Sequence, residues 1–464
     1  MGGLYTDKFA EFTAKTRYEE LPREVIDQAR LCILDFLGVA LAGSNLGLSP
    51  LMTEILSREG GEEECSVIGH HRKMPVLNAA LLNGVRGHTL DMDDGHRYAN
   101  AHPAVTVIPA ALAVAEKCDA TMKDLIESVV AGYEVFVRIA RAVNPSHLQR
   151  GFHSTGTVGP FGAATACCKL LGLDAKQIES ALAIAALQGA GLLQALDSGQ
   201  MMKPLHPGRA AQAGVLAALL AQGGAQGPDE ILEGAKAWFK AYADNVDTKA
   251  LSEGLGRDFA ILGVYFKWHA ACRHVHSTLD ALVDAVNTHN VALDEIEKIE
   301  VGTYPVAYSL TGTQNRVSSE LAAKFSIPVS VALMLFYKDA GVDVYSEERL
   351  KEPVLQGIAD RVSVRADAWR GEVYPAKRGA EVKVYTQRGI FSGKVEIPKG
   401  DPENPFSPDE LKKKFLNNAS KALSPADSMR LADLVTTGDP ADRMSNIMAL
   451  AAFHPSTHLR NPST

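Results

Sequence analysis

The chain has 464 residues, 46% of them hydrophobic and only 6% aromatic, with a formal net charge of −8. That length is ample for more than one buried core, and the shortage of aromatics suits closely approaching helices rather than an aromatic-lined groove. The acidic balance argues against a nucleic-acid or membrane-surface protein, although the local charge of a pocket is free to differ from the total.

Taken in order, MGGLYTDKFAEF has no basic region followed by an apolar run, so no secretory signal is expected. Leu21–Gly43 carries Val25, Ala29, Cys32, Ile33, Phe36, Leu37 and Ala40 at helical spacing, with Pro22 near the start and Gly43 as a stop. Further helical runs follow at Leu48–Arg58, Val76–His88, Pro103–Cys118, Thr121–Val143, Thr155–Leu171, Asp174–Leu193 and Arg209–Gln222. Most are apolar on more than one face, with small residues where helices can approach. None is long and uninterrupted enough to span a bilayer. Six cysteines without CxxC spacing give neither a disulfide framework nor a cluster site, which points to reduced thiols in a cytoplasmic protein.

Near residue 290 the pattern changes. Ile296–Tyr304, Val362–Arg365, Ala380–Thr386 and Gly389–Ile397 alternate like strands, the last two joined as a hairpin at Gln387-Arg388. Glu320–Phe336, with a kink expected at Pro328, and Ser346–Asp360 read as helices between them. After the polar linker PKGDPENPFSP, helices resume at Pro408–Ala419, Pro425–Val435 and Asp442–Ala452. The expected fold is therefore mainly α. A large all-helical domain comes from both chain ends (1–273 and 400–464), and a smaller α+β lid domain spans 274–399.

The chemistry concentrates in Asn83–Pro103, NGVRGHTLDMDDGHRYANAHP, where Asp91, Asp93, Asp94, His88, His96 and His102 crowd together. The stretch reads either as a solvated acidic turn or as a carboxylate cluster held between two buried helices, with Gly95 supplying an unusual backbone angle. Three other places repeat the pattern of a cationic or titratable side chain before a helix: His153-Ser154, Lys203-Pro204 ahead of a helix beginning near Gly208, and Cys272-Arg273-His274-Val275-His276. Helix N-termini attract anions, so convergence of these ends would make a pocket for a small polycarboxylate. Pro204 turns Lys203 out of helical geometry and lets its ammonium be aimed into a cleft. A divalent metal is not expected: the lone HxxxH, His454 to His458, is interrupted by Pro455. Walker, GxGxxG and GxSxG patterns are absent.

The segments LPREVIDQARLCILDFLGVALAG, LDMDDGH…AHPAVTVIPAALA, GFHSTGTVGPFGAA, KPLHPGRAAQAG and FKWHAACRHVHSTLDAL, in this order, resemble the MmgE/PrpD family. That resemblance covers nearly the whole chain. It implies a helical domain with an α+β lid, an active site between them, a homodimer and chemistry without a cofactor. By the same resemblance Asp91, His102, His153 and Lys203 lie in the pocket, faced by Cys272–His276. Two positions depart from the family's cis-aconitate decarboxylase branch: Gly95 stands where that branch has Thr, and Cys272 where it has a catalytic His. The expectation is a hydro-lyase that dehydrates a 2-methylcitrate-like hydroxy-polycarboxylate. Asp91, His102 and Lys203 would move protons, and His153, Arg273, His276 and Cys272 would bind substrate. Epimerisation of an iminodisuccinate-like dicarboxylate and cis-aconitate-type decarboxylation are the enzymatic alternatives; a helical carboxylate-binding protein is the non-enzymatic one.

Overall fold

A computed structural model describes residues 4–197, 201–317 and 319–452. Six long helices form its centre: α1 (Arg23–Gly43), α2 (Val76–His88), α3 (Ala104–Lys117), α4 (Met122–Val143), α5 (Ser154–Leu170) and α6 (Leu205–Gln222). Helix α5 lies in the middle, touching α3, α4 and α6, while α6 reaches across to α2. Small residues make these contacts close. A Cβ at Gly84 would come within 2.8 Å of the Gly208 Cα, and one at Gly214 within 2.3 Å of the Ala163 Cβ. The start of α4 is fixed by a capping box between Thr121 and Asp124, an arrangement worth about 1 kcal/mol.

Helix α7 (Arg273–Thr288) opens the second layer and covers one face of a sheet of β1 (Lys298–Thr303), β2 (Val362–Ala366), β3 (Ala380–Thr386) and β4 (Gly389–Val395). The strand order is β2-β1-β3-β4, with β1–β2 parallel and the other pairs antiparallel. Ile299, Val301, Val382 and Val384 bury the alternating apolar face. Gly393 lets α7 lie close, since a Cβ there would sit 2.0 Å from the Ala281 carbonyl oxygen. Helix α8 (Ile327–Tyr337) packs on α7. The chain then returns: α9 (Pro408–Ala419) and α10 (Pro425–Thr437) pack on α1, and α11 (Met444–Ala451) packs on α3. Phe406, Leu411, Phe415, Leu431 and Met448 consequently share one apolar core with Phe9, Phe36 and Phe136. A second core fills the space between α7, α8 and the sheet, and Val39, Ala42, Leu90 and Met92 join it from the first layer.

Several expected boundaries shift for identifiable reasons. Glu320–Phe336 is two helices, Glu320–Lys324 and Ile327–Tyr337, because the Ser326 hydroxyl caps the second; Pro328 sits in its first turn instead of kinking it. Pro353 likewise starts a new helix and divides Ser346–Asp360. The Asp174–Leu193 run ends at Ala186, and Gly189 beyond it lies against the Thr157 backbone. Helix α6 begins at Leu205, so His206 belongs to its first turn rather than preceding it. His454 and His458 lie outside the described residues. Among those described, no helix is long and apolar enough to cross a membrane.

Candidate active site

Helix α2 delivers His88 at its last turn, and the chain then reverses through Asp91, which takes a left-handed conformation with φ of 53°. Aspartate tolerates that region better than most residues. The unusual angle is thus at Asp91 and not at Gly95, where the requirement is space: a Cβ would lie 2.4 Å from the Tyr265 hydroxyl. Gly95–His96 pairs antiparallel with Val264–Tyr265, which brings Lys267 beside the acidic loop. Asp91, Asp93 and Asp94 are all buried, so the solvated turn does not form.

Each carboxylate has its own partners. Asp91 Oδ1 accepts from Lys203 Nζ at 3.1 Å and from Lys267 Nζ at 2.8 Å, and Lys267 also donates to the Asp91 carbonyl at 2.8 Å. Burial alone would raise the Asp91 pKa. The two ammonium groups, with His88 and His102 behind them, reverse this and hold it well below the usual carboxylate range. Asp91 Oδ2 is buried without a partner among the described residues. Asp93 Oδ2 lies 2.9 Å from His88 Nδ1 and 3.1 Å from His102 Nδ1. His102 Nδ1 is also 2.6 Å from the Asp94 carbonyl oxygen. A carbonyl only accepts, so Nδ1 carries the hydrogen, and Nε2 is the nitrogen left free of that contact. Burial pushes His88 down to about 4 against the pull of Asp93, leaving it neutral. Asp94 is different again: burial raises it to about 8, with Tyr133 and the Ala104 N–H as its partners.

His153 precedes α5 and shares a 3.0 Å Nδ1–Nδ1 contact with His206; burial, then Lys203, lowers the proton affinity of both. His102, His153, Lys203, Cys272 and Arg273, from the starts of α3, α5, α6 and α7, all line one cleft of about 640 Å³. The four helix N-termini therefore converge. The cleft also takes in Arg97, Tyr265, Lys267, His274 and Arg378. Burial raises the Cys272 thiol to about 11, so it is neutral, and lowers His274 to about 3.

His276 is not in the cleft. One turn further along α7, its Nε2 lies 3.2 Å from the Ala271 carbonyl and its Nδ1 3.3 Å from Arg273, and its ring lines a separate hollow. Only the first residues of that helix reach the cleft, which corrects the expectation of substrate binding by His276. Lys267 and Arg378 were not expected, while His88 and His274 lie in the segments singled out above without an assigned role. Lys267 lies in the FKWH segment that resembles the family, but nothing local marks its side chain, and Arg378 has no sequence signal at all.

His88, Asp91 and His102 each offer a donor atom within 4.8 Å of the others, the geometry of a small metal site. Lys203 and Lys267 oppose that use, because a cation at Asp91 would have to displace or adjoin two ammonium groups.

A family model described as the MmgE/PrpD N-terminal domain matches residues 7–250, and its C-terminal counterpart matches 269–438. A cis-aconitate decarboxylase-like protein, oryM, of Aspergillus oryzae is 26% identical over 97% of each chain. The cis-aconitate decarboxylase of Aspergillus terreus is 25% identical over 96% of this chain and 94% of its own. The Homo sapiens cis-aconitate decarboxylase is 29% identical over 90% and 88%.

Proposed function

Because the chain belongs to the MmgE/PrpD family, we propose that it is a cofactor-free lyase that moves a proton at a carbon next to a carboxylate. The observation that carries this reading is the grouping of Asp91, Lys203 and Lys267, hydrogen-bonded to one another, in the same cleft as His102. Loss of such a proton leaves an enolate-like dianion, and two ammonium groups in a cleft shielded from water stabilise it. Asp91 is a poor base, since its affinity for protons is depressed; its task is to hold the ammonium groups at the reacting carbon. His102 Nε2 takes the proton.

The first choice is dehydration of a 2-methylcitrate-like hydroxy acid. The C–H proton goes to His102, the C–O bond breaks, Lys203 protonates the departing hydroxyl, and an alkene and water result. Two observations favour this over decarboxylation. A side chain at Gly95, where the resemblance puts threonine in the decarboxylase branch, would meet the Tyr265 hydroxyl, and a neutral thiol at Cys272 cannot exchange protons as an imidazole does at neutral pH. Decarboxylation of a cis-aconitate-like acid is the second reading, supported by the names of the relatives. There a C–C bond breaks, CO₂ leaves, and the resulting carbanion takes a proton.

The test is an NMR screen in D₂O with 2-methylcitrate, citrate, cis-aconitate and iminodisuccinate. New alkene signals from 2-methylcitrate are expected. CO₂ loss from cis-aconitate would establish the second reading, and proton exchange in iminodisuccinate without loss of a group would indicate epimerisation. No change in any of the four would overturn the proposal.

A further inference from the structure

Another part of the cleft lining carries an imbalance of charge. Arg97, Arg273 and Arg378 all turn to the same buried carboxylate, Asp401, at 3.7, 2.9 and 3.5 Å. A second acid, Glu403, pairs with Arg97 from the rim, where its side chain is 45% exposed. Three guanidinium groups are therefore in contact with one buried and one rim carboxylate, and a third carboxylate, Asp280, lies within electrostatic reach of Arg273. All three arginines are at least nine-tenths buried and line the cleft. Uncompensated charge in such a place is costly unless an anion arrives to share it.

The three are not equally engaged. Arg273 also reaches the carbonyls of Phe266, Pro398 and Lys399, and its guanidinium lies 4.8 Å from the Tyr265 ring centre. Arg97 donates to the Ala376 carbonyl at 3.2 Å. Among the described residues, Arg378 has only the long Asp401 contact and the Tyr265 hydroxyl, with its guanidinium 4.5 Å from the centre of that ring. Its Nε is buried without a partner among the described residues, as is the Nε of Arg273. A guanidinium has five N–H donors in a planar fork, which fits a carboxylate through two parallel hydrogen bonds.

We propose that Arg378, backed by Arg97 and Arg273, is the seat of a second carboxylate of the substrate, remote from the carbon whose proton moves. This rests on the lyase reading above and narrows it. One carboxylate meets Lys203 and Lys267, another must reach Arg378, and a monocarboxylic acid is therefore not a substrate. Asp401 holds the guanidinium groups together while leaving the charge that the second carboxylate neutralises.

Calorimetric titration with tricarballylate, a tricarboxylate with no hydroxyl to lose, tests the seat without turnover. Arg378→Gln is expected to raise its Kd at least about tenfold, the scale of a lost charge-assisted pair. Arg378→Lys should recover part of that loss. Butyrate, which has no second carboxylate, should bind weakly to wild type and variant alike. In turnover the Arg378→Gln loss should fall on KM more than on kcat. If Arg378→Gln does not fold, as judged by its unfolding midpoint, Arg97→Gln must show the same selective loss. An unchanged tricarballylate Kd in a folded variant overturns the seat while leaving a positive NMR screen standing. If the wild type binds no polycarboxylate, the seat and the lyase reading fall together.

Discussion

On the helical wall of the cleft, Asp91 gathers Lys203 and Lys267, and neutral imidazoles surround the pair. Elsewhere along the cleft Asp401 gathers a second wall of three guanidinium groups. Both walls attract anions, but they differ in what a proton can do there. Imidazole and ammonium can exchange protons within the working range of an enzyme, whereas guanidinium keeps its charge throughout. One wall is suited to moving protons and the other to holding a charge still. Substitutions on the first should act on kcat, and those on the second on KM.

The largest expected effect is at Lys203. Lys203→Ala should reduce kcat/KM about a thousandfold or more, equivalent to roughly 4 kcal/mol of transition-state stabilisation. Lys203→Arg should recover little, because it restores charge without an exchangeable proton. Good rescue by arginine would erase the distinction between the walls, since it would mean that Lys203 also works as a fixed charge. Circular dichroism should show both variants folded, because α6 owes its place to the contacts of Gly208 and Gly214.

Much of the frame was legible in the sequence, because helix periodicity, caps and the Gln387-Arg388 turn are local signals. The return of α9–α11 to α1 and α3 followed from the change of pattern after residue 400. What local patterns could not give were the pairings made by the fold. Lys267 meets Asp91 only because Gly95–His96 finds Val264–Tyr265, and Arg378, just before β3 in sequence, meets Asp401 beyond β4. His276 was read as facing substrate because it sits near a helix start, but the side of a helix that faces a cleft depends on how the helix docks. Gly95 was assigned to a backbone angle when a neighbouring tyrosine explains it.

A smaller effect should appear at Asp94, which tests whether the titratable character extends beneath the helical wall. Its carboxyl is raised by burial from 3.8 to about 8 in the fold. The folded chain thus holds a proton that the unfolded chain releases, and the stability this contributes is present below about pH 4 and lost as pH rises through 8. Asp94→Asn removes the titration while keeping a neutral side chain of similar shape. Its unfolding midpoint should gain on that of the wild type between pH 5 and pH 8, by a few degrees in a chain of this size. A difference independent of pH would mean that Asp94 holds no such proton.

The smallest expected effect is none at all, and it concerns metal. His88, Asp91 and His102 have donor atoms close enough together to invite a divalent ion, and His88 Nε2 and Asp91 Oδ2 are buried without partners among the described residues. The rest of the wall argues against it. His88 and His102 both direct Nδ1 toward Asp93, and the charge of Asp91 is already shared by two ammonium groups, of which Lys267 is held above the ordinary lysine range by Asp91 and Asp93 despite its burial. A dication there would face about two unit charges at contact distance, a repulsion of several kcal/mol even at the effective dielectric of a protein surface. Exhaustive dialysis against EDTA should therefore leave turnover unchanged, and added Zn²⁺ or Mn²⁺ should not raise it. Turnover that is lost on chelation and restored by one particular metal would put a Lewis acid where this wall places ammonium groups, and the proton-transfer role of Lys203 would have to be given up with it.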